Sequence, residues 1–192
     1  MVIFRKGRAV LLFALVAATA TGAQERSPAG ALVSAYVERY FEMYPTRATE
    51  AGRHDFDARI EDYSSTRVEA WLDFNQKTRA ALDAASAKGI SFDDRLDALM
   101  VRSQIDREIL DHDVLRRRDR DPLLWTAPLS NATVFLLVRD DLPRGQALEA
   151  ARRRVSLIPP LARAARETFE IADPGLVAPE HAAIINRVLT PT

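Results

Sequence analysis

"NATVFLLVRD", residues Asn131–Asp140, decides the fold class. Its β-branched and aromatic run, Thr133 to Val138, fits a buried strand or a buried helix segment, and periodicity alone does not separate the two. The rest of the chain does. No second stretch offers a strand partner, and an isolated strand would leave its backbone N–H and C=O groups unpaired. The segment is therefore expected to be helical and the protein all-α.

Working outward, the segments on either side carry helix signals. Downstream, Asp141 and Pro143 open a helix that runs through Leu148, Val155 and Ile158. Pro159-Pro160 is expected to break or kink it, because proline removes an N–H donor and crowds the preceding turn. A last helix is expected from Pro179. Upstream, "RRRDRDP" (Arg116–Pro122) ends a helix that Ser91 and Asp94 begin. Phe92, Leu96, Leu99, Met100, Ile109 and Leu110 form its expected buried stripe. Gly89 closes the helix before it, on which Val68, Trp71, Leu72, Leu82 and Ala85 mark the inner side. Ser65 or Thr66 is its expected cap, and Thr66 with Glu69 has capping-box spacing. The first helix has Ser27 as N-cap, Pro28 at its first position, and Leu32, Val33, Tyr36, Val37, Tyr40, Phe41 and Tyr44 at helical spacing. Pro45 stops it; Thr46 to Ala51 make one or two turns before Gly52. Short connections between such helices give a multi-helix antiparallel array.

The start of the chain has a different character. Arg5, Lys6 and Arg8 precede an apolar run from Ala9 to Ala18, and Thr21-Gly22-Ala23 supplies small residues at a cleavage site. Residues 1–23 thus read as an export signal, which places residues 24–192 in the periplasm or outside the cell. The run is shorter than the roughly 20 residues of a spanning helix, so no stable membrane span is expected after cleavage. Removing 23 of 192 residues leaves 169; removing three basic residues from a neutral chain leaves a net charge of −3. That balance argues against a nucleic-acid binder. The absence of cysteine excludes disulfides, thiol catalysis and thiolate metal sites.

Three histidines, His54, His112 and His181, are the imidazoles available for chemistry. None lies in a His-Glu-x-x-His pair, and the chain has no nucleophile elbow, phosphate loop or dinucleotide fingerprint. Asp111-His112-Asp113 falls at a helix end, where consecutive side chains diverge. The arginine runs 116–118 and 152–154 are phosphate candidates or surface pairs. Asn131-Ala132-Thr133 is a weak glycosylation match. "YPTRATEAGRHDFDARIEDYS" (Tyr44–Ser64) is the best local candidate: Gly52 permits a turn presenting His54, beside Asp55, Asp57, Glu61 and Asp62. Aspartates also cap turns, so a structural reading of the cluster stands beside the functional one.

The order of motifs is more telling than any one residue. Pro45, Ala48, Thr49, Gly52, His54, Asp57 and Ser64, followed by "DPLLW", "VFLLVRD" and "IPPLARAARETF", resemble the bacterial domain-of-unknown-function family numbered 885. Each piece is short, but the ordered set covers essentially the whole mature chain. The resemblance implies a helical, gluzincin-like zinc peptidase whose His-Glu-x-x-His helix lies downstream of the region matched here. It supplies no catalytic residue and no metal ligand in this chain; zinc is expected only in a full-length member. His54 and Asp57 are then expected to position substrate or to act through another residue.

Three readings follow. In the first, the chain is the N-terminal, non-catalytic portion of an exported peptidase-like protein, walling a cleft completed by a missing C-terminal half. In the second, it is a free-standing periplasmic helical interaction module. In the third, it is a small hydrolase built on His54 and its carboxylates. The first expects apolar helix faces, Val134–Val138 and Leu157, Leu161, Ala165 and Phe169, to pack against that half or to drive self-association.

Overall fold

Local capping chemistry sets most helix boundaries. The computed structural model describes residues 27–171, and those residues form seven α-helices and one 3-10 turn, with no strand among them. Ser27 Oγ accepts a hydrogen bond from the Gly30 amide at 2.9 Å and starts α1 (Pro28–Met43). Pro45 occupies the first position of α2 (Pro45–Glu50), and Gly52, at φ +83°, turns the chain into a 3-10 turn at His54–Phe56. Ser64 precedes α3 (Ser65–Ala87). Ser65 and Thr66 therefore lie inside that helix, and the expected cap is replaced by an aspartate turn: the Ser64 amide donates to Asp62 Oδ1 at 2.9 Å. Gly89, at φ +84°, separates α3 from α4 (Phe92–Asp113), whose first turn Ser91 caps by accepting from the Asp94 amide at 3.1 Å. The short α5 (Arg117–Arg120) leads to α6 (Pro122–Val138), capped by Asp121, and then to α7 (Arg144–Ile171).

The deciding stretch is helical, in the last half of α6. In α7 the expected break does not occur: the helix continues through Pro159-Pro160. Each proline withholds an N–H from the carbonyl four residues earlier, here Val155 and Ser156. Both residues are exposed, on a side of the helix open to solvent, while buried Arg154 and Leu161 anchor the two sides. The helix expected from Pro179 and the export signal lie outside the described residues.

α1, α3 and α4 pack on one another, α6 pairs with α7, and α2 bridges the two groups. Trp71 centres the first group, its ring 5.6 Å from Tyr36, 5.8 Å from Phe74 and 6.0 Å edge-on from Tyr44. Leu82 and Ile105 are fully buried beside it. Tyr63 and Trp125, 5.3 Å apart and edge-to-face, tie the second group to this core.

Two expected faces are reassigned. On α4 the core side is Ala98, Val101 and Ile105, whereas Phe92 is 77% and Met100 67% exposed, with Leu96, Leu99 and Leu110 also outside; Ile109 packs against the core. This Ala98–Val101–Ile105 face is the one α4 turns toward α1 and α3. On α7 the stripe closes inward: Leu161 and Ala165 are buried and Phe169 packs 6.5 Å from Trp125. In the α6 run Leu136 is buried, while Val134, Leu137 and Val138 are exposed. Among the described residues no helix is long and apolar enough to cross a membrane.

Candidate functional site

The loop that the sequence singled out is organised from below by Arg154 of α7. This side chain has 0% exposure. Its Nε donates to the Arg59 carbonyl at 2.8 Å and Nη1 to Ala132 O at 3.1 Å. Nη2 reaches Pro45 O at 3.1 Å, Thr49 Oγ1 at 2.5 Å and Phe56 O at 3.3 Å. Burial holds its pKa below the ordinary arginine value, with Asp57 and Glu61 opposing the shift. A guanidinium stays charged in proteins, so the cation is buried and fully engaged.

A relay runs outward from it. Thr49 Oγ1 donates to Asp57 Oδ1 at 2.6 Å, and Asp57 Oδ2 lies 2.7 Å from His54 Nδ1. Asp57 is buried, so the imidazole is held through Nδ1 and its Nε2 is turned toward Asp141 Oδ2, 3.6 Å away. Asp141 is paired with Arg139, whose bonds to it hold its pKa below the usual carboxylate range. Arg139 also donates to Glu50 O at 3.0 Å, and its Nη2 lies 3.0 Å from where a Cβ on Gly52 would sit. Gly52 thus serves both the left-handed turn and the close approach of Arg139. Among the described residues no hydroxyl bonds to His54, so the dyad has no adjacent nucleophile. It borders an open groove with Ala58, Gln146 and Glu149.

Glu61 goes elsewhere. Its Oε1 accepts from the Thr46 amide at 3.1 Å and from Thr46 Oγ1 at 2.5 Å. The residue is 3% exposed, and its Oε2 has no hydrogen-bond partner among the described residues. Desolvation pushes its pKa up, against the hydrogen bonds from Thr46 and the charge of Arg154. Glu61 lines a cavity of about 210 Å³ between α1, α3, α4 and α6. Tyr40, Tyr44, Tyr63 and Trp71 supply aromatic wall. Glu108 forms part of the wall, its Oε2 accepting from Tyr44 Oη at 2.5 Å and Trp71 Nε1 at 3.1 Å, its Oε1 from Gln104 at 2.7 Å. Burial, then the Glu108 charge, drives the Tyr44 pKa well up, so the phenol remains a donor.

The cluster read as one thus divides. His54 and Asp57 meet; Glu61 faces the cavity; Asp55 pairs with Arg53 at 2.8 Å, and Asp62 turns into the start of α3. His112 sits beside Asp113 on an exposed helix end, at 2.8 Å. The arginine runs are structural: Arg117 bridges Asp111 and Asp121, Arg118 donates to Tyr63 O at 2.9 Å, and Arg154 leaves the surface altogether. Glu108, Arg154 and the cavity are the features sequence reasoning missed.

A match to the family described as "Bacterial protein of unknown function (DUF885)" spans residues 45–190. The chain belongs to this family. The matched region contains every residue of the two clusters contributed from α2 onward. No curated protein and no solved structure matches the chain. The zinc implied by the family resemblance does not fit the donors present: among the described residues no three histidine, aspartate or glutamate side chains are grouped to hold a metal ion.

Proposed function

We propose that this chain is the non-catalytic, substrate-binding wall of an exported zinc-peptidase-like protein, acting through the cavity at Glu61 and Glu108. The cavity itself carries the reading. Aromatic walls with a few convergent polar groups, here Glu61, Glu108 and Asn131, are the usual make-up of a binding site. Family membership supports a shared role, and the peptidase class rests on the resemblance of the ordered motifs. These 192 residues hold no His-Glu-x-x-His pair, so the proposed role is binding and not hydrolysis. His54 and Asp57 hold the loop beside the cleft and position substrate along the neighbouring groove. Export rests on the basic, apolar and small-residue order of residues 1–23.

Calorimetric titration of short peptides into the chain tests this reading. Saturable binding is expected, without hydrolysis, and Ala127→Trp should abolish it, because Ala127 is exposed on α6 where it lines the cavity. Absence of saturable binding, or binding unaffected by Ala127→Trp, would reject the cleft. A second reading, a helical interaction module, is favoured by one observation: the exposed apolar face of α4 at Phe92, Leu96, Leu99 and Met100.

A further inference from the structure

We infer that the cavity is a side-chain subsite that takes one large apolar side chain of a peptide and refuses a charged one. The inference rests on the cleft reading above and specifies what the cleft selects.

The charges of the wall come first, because each already holds a partner or reaches water. Glu61 turns one oxygen to Thr46, and its other oxygen is sealed from solvent, with the buried Arg154 cation nearby. Glu108 accepts from Tyr44, Trp71 and Gln104. Arg47 pairs with Glu50 at 2.8 Å, and Arg117 with Asp121 at 2.6 Å and Asp111 at 3.4 Å. Arg118 donates to Tyr63 O, Ser65 and Thr168. Arg107 donates to Gln104 and lies on the exposed side of α4, open to water. A charged guest would leave water for a wall that carries both signs. A cation meets the arginines, and an anion meets Glu61 and Glu108. Giving up hydration without a matched partner is costly, so the wall selects against either charge.

The rest of the wall is apolar or neutral. Met43, Val68, Trp71, Leu72, Leu124 and Pro128 line it. Met43, Trp71 and Pro128 are buried, so the core fixes their positions. The rings of Tyr40 and Tyr44 stand 4.8 Å apart, and Tyr44 is edge-on to Trp71 at 6.0 Å, which offers ring faces and edges for packing. Burial and then the charges of Glu61 and Glu108 push the Tyr63 pKa up, so its phenol stays neutral. Moving an apolar side chain from water onto such a wall is favourable in proportion to the area covered. The volume, about 210 Å³, is below the roughly 300–1,000 Å³ of pockets for drug-sized ligands. It suits one side chain and not a run of residues.

Capped tripeptides that differ in one side chain test this in calorimetric titrations of the chain. The probes are N-acetyl-Ala-X-Ala amides in which X is phenylalanine, leucine, alanine, lysine or glutamate; the caps remove terminal charges. The phenylalanine or the leucine peptide should bind about tenfold or more tightly than the alanine peptide. The lysine and glutamate peptides should bind no tighter than alanine. Phenylalanine leading identifies a ring, and leucine leading a branched chain. Leu123 lines the cavity and is 56% exposed, so Leu123→Asp puts a charge on the wall without touching the core. It should weaken the preferred peptide about fivefold or more and leave the alanine peptide unchanged. A lysine or glutamate peptide that binds as tightly as the apolar ones overturns the inference, as does a preference that Leu123→Asp does not reduce. Equal binding of all the peptides overturns the subsite but leaves the cleft. No saturable binding by any overturns both.

Discussion

Arg154 and Glu61 are opposite cases of a buried charge. Arg154 spends its donors on Arg59 O, Ala132 O, Pro45 O, Phe56 O and Thr49 Oγ1, and it neighbours the carboxylates of Asp57 and Glu61. Arg154→Ala strands those acceptors and leaves both carboxylates without their buried cation. A loss of about 3–5 kcal/mol is expected, a large part of the roughly 5–15 kcal/mol that holds a domain folded. Urea denaturation is the check; a change below about 1 kcal/mol would show that the guanidinium does not fasten this loop. Glu61 is under-satisfied, and its folded pKa lies above its unfolded one. The folded state therefore binds the proton more tightly, and the stability this confers is present below the ordinary carboxylate range and lost as pH rises through the folded value. Glu61→Gln should consequently melt higher than wild type at pH 7, with the difference shrinking as pH falls through the carboxylate range. A variant that melts lower at pH 7, by an amount independent of pH, would contradict the assignment.

At the level of the element, legibility followed the range of the interaction. Ser27, Ser91 and Gly52 act on backbone within a few residues, and the sequence announced each of them. His54 and Asp57 were legible for the same reason, three residues apart after a glycine turn. Long-range features were not. Pro159-Pro160 reads locally as a break, yet α7 persists where Val155 and Ser156 are exposed and Arg154 and Leu161 are buried on either side. On α4 the apolar residues Phe92, Leu96, Leu99 and Met100 read as the inner stripe, whereas packing against α1 and α3 buries the Ala98–Val101–Ile105 face. The cavity required Glu61 on a loop and Glu108 on α4 to meet around Tyr44 and Trp71, a juxtaposition that no spacing encodes. The run at Arg152–Arg154 looked like surface charge because nothing local distinguishes its last member from the others.

For the whole molecule the telling surface is the one α4 turns outward. Phe92, Leu96, Leu99 and Met100 recur at helical spacing on a face that neither α1 nor α3 covers, and all four are exposed. Scattered apolar residues on a surface are ordinary, but a continuous patch of a few hundred Å² marks a contact region. Leaving it in water is unfavourable by about 25 cal/mol per Å². The proposed occupant is a partner helix or, in its absence, a second copy of the chain. The chain alone should therefore self-associate in sedimentation experiments, in a concentration-dependent way, and bind a hydrophobic dye. Leu96→Glu with Met100→Glu should suppress both, with little loss of stability, since neither side chain is in the core. The α7 stripe, closed on Trp125, should contribute nothing to association. A wild-type chain that sediments as a monomer at all concentrations and binds no dye would show that the α4 face is covered, and would remove the physical reason for expecting a partner there.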